Sequence, residues 1–287
     1  MKSRNLGVGL VVLVGSLSLL AGTASARGTA PLAAPTGTCV VHSLPSFVAQ
    51  GEESTAATVA DIVEVECNPN IYGTGSKIKI TASQVFNRCH GDMQWYVPNP
   101  FRIEDGKGVS VELDADGNAT VAFIAGANCA AGENLVSAHM EEEPFETFTT
   151  GYTILPPVTT KPGVYALAAT PERPETQVED ALSSSVAAII QVEFANGSEK
   201  EVHIASEELF HRCRIAPHLR WIRSNREIQS GSEISEVQLD NDGNAFVVAI
   251  GDASCAEGPS LIEADLESKP FTTYTTNFLI EAPRPTI

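Results

Sequence analysis

The chain contains one unit twice, and this internal repeat constrains its fold more than any other feature. The stretch LDADGNATVAFIAGANCAAGENLVSAHMEEEPFETFTT begins at Leu113, and LDNDGNAFVVAIGDASCAEGPSLIEADLESKPFTTYTT begins at Leu239. They align without a gap at an offset of 126, with about half of the positions identical. Upstream, SQVFNRC in the first copy matches EELFHRC in the second, and IVEVEC matches IIQVEF. The sequence therefore predicts two copies of a unit of about 120 residues, an ordinary domain size.

The N-terminus indicates export. Lys2 and Arg4 precede an apolar run, and Ala24-Ser25-Ala26 supplies a small-residue cleavage motif. This order is typical of a secretory signal peptide, which we place at residues 1–26. The apolar run is too short for a stable membrane span, and no second run of that kind follows. We therefore expect a secreted, extracellular protein without a membrane span.

The repeat also sets the predicted domain boundaries. We place domain one at residues 37–156 and domain two at residues 163–283. Between them, residues 157–162 form a proline-containing linker, and proline favours an extended, fairly stiff backbone.

The composition is strongly acidic. The chain has 36 Asp and Glu and 18 Lys and Arg, which gives a formal net charge of −18. Such a charge favours solubility and argues against nucleic acid as a partner. We find no glycine-rich nucleotide fingerprint, no zinc-protease motif and no serine-hydrolase motif, so we predict a non-enzymatic protein without a cofactor.

The six cysteines are expected to form intradomain disulfides, because an even count in an exported chain is typical of a disulfide framework. Copy two holds only Cys213 and Cys255, which we pair. Their counterparts in copy one, Cys89 and Cys129, are paired likewise. The remaining pair is Cys39 with Cys67, which copy two replaces together by Tyr165 and Phe194.

Short runs of alternating or β-branched residues, separated by turn residues, predict an all-β sandwich in each copy. Only the stretches at Ser83–Asn87 and Ser206–His211 suggest brief helical turns. The segments LDADGNATVAF and LDNDGNAFVVAI resemble the hairpin of bacterial immunoglobulin-like repeats. This resemblance implies two tandem immunoglobulin-like β-sandwich domains that act as spacer or binding modules.

The D-x-D-G-N loops carry two interpretations. Asp114 and Asp116 in copy one, and Asp240 and Asp242 in copy two, place carboxylates at alternate positions around a glycine. Such carboxylates can bind calcium. The favoured interpretation is a tight turn, because Asp, Asn and Gly supply the required backbone angles. We therefore assign no metal and keep these four residues as weak candidates.

Positive charge gathers in the stretch HRCRIAPHLRWIRSNR, at residues 211–226 of copy two. On a strand, Trp221 would face the core and Arg220 the opposite side, and Trp95 of copy one would likewise point inward. The corresponding part of copy one presents Tyr96 and Phe101. One interpretation is two different contact faces on one scaffold, whose candidate binding residues are Arg212, Arg214, Arg220, Arg223, Arg226, Tyr96 and Phe101. The alternative is that the arginines neutralise acidic residues of their own domain.

These observations predict a secreted binding or structural module. Arginine binds carboxylate and phosphate in a bidentate manner, so the partner of domain two would be an anionic glycan, a wall polymer or an acidic protein. One alternative is a calcium-dependent adhesion module that uses the aspartate loops. Another is a secreted hydrolase, or a hydrolase inhibitor, whose site is assembled from distant residues.

Overall fold

A computed structural model describes most of the chain beyond its N-terminal segment. The described residues are 39–44, 47–49, 59–72, 74–98, 100–126, 129–142, 146–155, 165–170, 186–194, 201–213, 219–239, 243–251, 255–266 and 269–280. They form many short strands and two six-residue helices, which confirms the all-β fold class. The predicted signal peptide and the linker at 157–162 lie outside the described residues, and the domain boundaries stay a prediction.

Repeat one forms two facing sheets. Its elements are β1 (Cys39–Leu44), β2 (Phe47–Ala49), β3 (Val59–Cys67), β4 (Lys77–Thr81), α1 (Ser83–Arg88), β5 (Met93–Val97), β6 (Arg102–Asp105), β7 (Gly108–Glu112), β8 (Asn118–Ala125), β9 (Gly132–Met140) and β10 (Thr147–Leu155). The front sheet has the order β1-β3-β8-β5-β6, and the back sheet has the order β2-β10-β9-β4-β7. Their pairs are antiparallel except for β2, which lies parallel to β10.

Repeat two has the same plan. Its elements are β11 (Tyr165–Thr170), β12 (Val186–Phe194), β13 (Glu201–Ala205), α2 (Glu207–Arg212), β14 (Leu219–Arg223), β15 (Ile228–Ser230), β16 (Ile234–Gln238), β17 (Asn244–Gly251), β18 (Gly258–Leu266) and β19 (Lys269–Ile280). The front sheet has the order β11-β12-β17-β14-β15, and the back sheet has the order β16-β13-β18-β19. The two predicted helical turns are present as α1 and α2. Each helix begins within one residue of its predicted first residue.

All three predicted disulfides are present, and no described cysteine is free. Cys39 and Cys67 lie directly opposite each other on β1 and β3. The corresponding residues of repeat two, Tyr165 and Phe194, also lie directly opposite each other, on β11 and β12. The two cysteines are therefore replaced together because they occupy one cross-strand pair, as the repeat alignment indicated.

Each repeat has its own core, centred on a tryptophan. Trp95 and Trp221 are fully buried between the two sheets of their repeats. The Trp95 indole donates to the Gly106 carbonyl at 2.9 Å, and the Trp221 indole donates to the Ser232 carbonyl at 2.8 Å. Both acceptors lie eleven residues after the tryptophan, so the hydrogen bond is a repeated feature of the fold. The predicted inward orientation of both tryptophans is confirmed.

Candidate functional site: the joint between the two repeats

A third apolar cluster joins the two front sheets, and we call this contact the joint. From repeat one it contains Ala60, Ile62, Tyr96, Ala122 and Ile124, and from repeat two Ile189, Ile222, Phe246, Val248 and Ile250. The main elements in contact are β12 with β3 and β8. Burial of one such aliphatic side chain stabilises by roughly 1.5–3 kcal/mol relative to leaving it exposed. The ten residues, six of which are Ile or Val, form a contact of the hydrophobic kind that fixes neighbouring domains.

The central strands explain why these faces meet. The runs ATVAFIA in β8 and FVVAI in β17 are almost continuously apolar. A strand with one face in the core and one in water alternates instead, so a continuous run indicates burial on both faces. Val121 and Phe123 point into the core of repeat one, while Ala122 and Ile124 point into the joint. These continuous apolar runs were the sequence feature that could have indicated the joint. The overall composition does not reveal them.

Arg226 crosses the joint as an ion pair. Its Nη1 lies 2.5 Å from Oδ1 of Asp92, which belongs to repeat one, and its Nη2 donates to the Asp92 carbonyl at 3.4 Å. Arg226 sits at the tip of the β14–β15 turn with a φ of +70°, a conformation unfavourable for a side chain with a Cβ. The contact with Asp92 offsets part of that cost.

Gly126 leaves the space that this pair needs. A Cβ at Gly126 would lie 1.8 Å from the Asp92 carboxylate and 2.8 Å from the Arg226 guanidinium. Because the Asp92 side chain is 58% exposed, solvent screens the pair and its main role is to fix orientation.

Arg220 closes a second part of the joint. Its guanidinium carbon lies 4.0 Å from the centre of the Phe101 ring, in a cation–π contact between the repeats. Phe101 and Ile228 pack against the apolar cluster from its margin. Arg220 lies on the face opposite to Trp221, as predicted, but that face meets repeat one.

The expected exposed aromatic surface of repeat one is wrong for Tyr96. Its side chain is fully buried in the joint, where the hydroxyl donates to Oε1 of Gln94 at 3.0 Å. Burial raises the pKa of the Tyr96 hydroxyl, and the nearby Arg226 charge opposes that rise. The side chain lies inside because the facing sheet of repeat two covers it.

Arg212 makes hydrogen bonds to backbone carbonyls that have a counterpart in repeat one. In repeat two it donates to the carbonyls of Glu257 and Pro259, at 2.6 and 3.0 Å. In repeat one, Arg88 donates to the carbonyls of Ala131 and Glu133 in the same way. Each arginine therefore holds the start of a strand beside the disulfide of its own repeat.

Arg223 pairs with Glu227 at 3.1 Å and donates to Gln229, both in its own repeat. This contact is of the kind that the neutralisation alternative describes. Arg214 lies outside the described residues. The arginine stretch thus divides into joint contacts and intradomain contacts.

The aspartate loop of repeat one is a hydrogen-bonded turn. Oδ1 of Asp114 accepts from the amides of Asp116 and Asn118, at 3.0 and 2.8 Å. Gly117 follows with a φ of +80°, and a Cβ there would lie 2.4 Å from the Cys67 carbonyl. These contacts are those of an Asx turn, as the favoured interpretation describes. Asp240 and Asp242 lie outside the described residues, and no group of three or more metal-ligating side chains occurs within the described part of the chain.

Sequence reasoning missed a buried carboxyl group in repeat one. Asp61 is fully buried on β3, and Oδ2 accepts from the Ser43 hydroxyl at 2.5 Å. Oδ1 has no hydrogen-bond partner among the described residues. Burial raises the pKa of the Asp61 carboxyl well above its ordinary value, although the Ser43 hydrogen bond opposes this. Alignment places Ala188 at this position in repeat two, so the group is specific to repeat one.

We expect Asp61→Asn to flatten the pH dependence of stability. A folded-state pKa above the unfolded value stabilises the fold fully below about pH 4, and this contribution is lost as pH rises towards the folded pKa. Across that window the wild type should lose up to about 1.4 kcal/mol per pH unit more than the variant. Urea unfolding at several pH values measures the difference, with Glu66→Gln on the exposed face of β3 as the matched control. Equal slopes for wild type and Asp61→Asn would contradict the prediction.

In the described part of the chain, neither helix has the length and apolar character needed to cross a membrane. No family model matches the chain, and no curated protein matches it.

The chain is similar to several solved structures. The adhesin InvE from Yersinia pseudotuberculosis is 10% identical, with 84% of this chain and 58% of that chain covered and a TM-score of 0.27. Domains 4–9 of the surface layer protein SbsC are 12% identical, with 86% and 31% covered and a TM-score of 0.35. A β-glycosidase from Bacteroides vulgatus is 10% identical, with 85% and 25% covered and a TM-score of 0.26. This chain thus spans less than two thirds of each, and at these TM-scores no inference about function follows.

Proposed function

We propose that this protein is a secreted, non-enzymatic module, structural rather than polyanion-binding, in which two β-sandwich repeats act as one fixed unit at the cell surface or in the medium. The observation that carries the proposal is the joint. Apolar residues of both front sheets are buried against each other, and Arg226 and Arg220 reach residues of repeat one at its margin. Residues 34–287 accordingly form one compact unit.

The three disulfides support an extracellular setting, because disulfides persist in oxidising compartments and are rare in the cytosol. Each repeat is closed by a disulfide beside its short helix, and repeat one has a second at its first strand. Each such disulfide stabilises the fold by roughly 2–4 kcal/mol, mainly because it constrains the unfolded chain. This setting agrees with the predicted signal peptide.

The contacts of the arginines favour a structural role over binding of an anionic polymer. Arg212 donates to backbone carbonyls, Arg223 pairs with Glu227, and Arg226 pairs with Asp92. To bind a phosphate or carboxylate of a polymer, these guanidinium groups would first have to leave their present partners. The calcium alternative meets the same difficulty at Asp114, where Oδ1 already accepts two amides.

The hydrolase alternative gains no support from the contact between Ser43 and Asp61. Ser43 and Asp61 are both buried inside the sandwich, where no substrate reaches them.

Retention on an immobilised polyanion such as heparin tests the proposal. We expect the mature protein and an Arg220→Ser/Arg223→Ser/Arg226→Ser variant to elute alike at low salt. The variant should melt at a lower temperature, because it loses the screened ion pair of the joint, worth roughly 0.2–1 kcal/mol, and the cation–π contact, worth roughly 0.5–2 kcal/mol. Salt-sensitive retention of the wild type that the variant lacks would overturn the structural interpretation, and the arginines would then be a contact site for an anionic partner.

A further inference from the structure

Among the described strands that end a sheet, β19 is the longest. It has 12 residues, and it lies at one end of the back sheet of repeat two. Its inner side pairs with β18 from Gly258 to Leu266. Among the described strands, none pairs with its other side. Its backbone amides and carbonyls on that side are therefore a template for an additional strand.

Over most of its length, the sequence of β19 lacks the residues that usually protect an edge strand. Natural edges carry charged side chains, proline or bulges that discourage pairing. In β19 such features are confined to the beginning, at Lys269, Pro270 and the irregular register opposite Asp265 and Leu266. From Thr273 to Ile280 the sequence TYTTNFLI has no charge, no proline and no glycine.

Repeat one shows that the corresponding edge accepts a further strand. There β10 pairs in parallel with β2, so that Thr153, Ile154 and Leu155 lie opposite Phe47, Val48 and Ala49. In repeat two the aligned stretch reads Arg173-Pro174-Glu175 and lies outside the described residues. Its sequence contains two charges, and its proline has no amide hydrogen to donate.

The exposed segment is complementary to itself. In an antiparallel pair of two copies with the twofold axis at Thr276, Tyr274 lies opposite Phe278 of the second copy and Thr275 lies opposite Asn277. Tyr274 and Phe278 both face the core side, whereas Thr275 and Asn277 are exposed. Aromatic pairs and hydroxyl–amide pairs on one face are favourable across strands. No like charges meet.

We propose that two copies of this chain associate through antiparallel pairing of their β19 edges, which makes one continuous eight-stranded back sheet. The symmetric arrangement is closed, since each copy uses the same strand. Each copy carries a net charge of −18, while the paired strands are neutral from Thr273 onwards. Screening by salt therefore strengthens the dimer, because it weakens the overall repulsion without removing a contact.

Sedimentation velocity of the mature chain over a range of micromolar concentrations, at low and moderate salt, tests this proposal. We expect a dimer whose population rises with salt. In Thr275→Lys/Asn277→Lys the new lysines lie directly opposite each other, which should weaken the dimer about tenfold or more. The matched control is Glu236→Gln/Gln238→Lys, which adds the same charge on the exposed face of the opposite edge strand, β16, and should not weaken the dimer.

Three results would overturn the proposal. One is a wild type that stays monomeric at every concentration, and another is a dimer that the β19 variant does not weaken. The third is a dimer that both variants weaken equally, since the loss would then not depend on the β19 edge. Circular dichroism of each variant establishes that it is folded, and none of these results bears on the joint between the repeats.

Discussion

Replacing Trp221 with alanine is expected to lower the free energy of unfolding of repeat two by about 3–5 kcal/mol. Trp221 is fully buried beside the Cys213–Cys255 disulfide, and its indole satisfies the Ser232 carbonyl. The substitution therefore creates a large cavity and removes a partly buried hydrogen bond. Trp221→Phe is the matched control, because it keeps most of the packing and loses the hydrogen bond, at a cost of about 1–3 kcal/mol.

Urea unfolding followed by two signals makes this experiment selective. The chain has two tryptophans, so in both variants Trp95 is the remaining one and its fluorescence reports on repeat one. Far-ultraviolet circular dichroism reports on both repeats. We expect the circular dichroism transition of Trp221→Ala to begin at a lower urea concentration than the Trp95 transition. A loss below about 1 kcal/mol would show that the core of repeat two does not depend on this side chain.

The interior of each repeat was predictable from the sequence because the two repeats can be aligned with each other. Alignment of the two copies gave the three disulfides, the inward direction of Trp95 and Trp221, and the two short helices. Each of these depends on residues that both copies keep or lose together. Alternation along a strand then assigned Arg220 to the face opposite to Trp221.

The outward faces were not predictable in the same way. Alternation shows which side of a strand leaves its own sandwich, but it does not show what that side meets. Tyr96 was therefore expected on a surface, whereas the second repeat covers it. Pairing of Arg226 with Asp92 joins residues 134 positions apart, on two loops with no shared motif. The buried Asp61 was missed because the acidic residues of its strand were taken together as one exposed set. Strict alternation instead places Asp61 on the core face with Val63 and Val65, opposite to the two glutamates.

Placing a carboxylate in the joint is expected to separate the two repeats without unfolding either. Ile124 and Ile250 occupy equivalent positions of the two copies, and both are fully buried in the joint. An unpaired charge buried there would cost about 3–5 kcal/mol. The joint can avoid this cost by opening, because each repeat keeps its own core and its own disulfide.

Calorimetry and small-angle scattering of Ile124→Asp and Ile250→Asp measure this opening. The wild type should unfold in one transition, since the joint couples the two cores. Each variant should show two transitions, the first at a lower temperature than that of the wild type. At temperatures below both transitions, its radius of gyration should already be larger than that of the wild type. Ile103→Asp is the matched control, because Ile103 is 43% exposed and its carboxylate stays in water. If the Ile124 and Ile250 variants kept one transition and an unchanged radius, the joint would not be what holds the repeats in place, and the fixed two-repeat module would have to be abandoned.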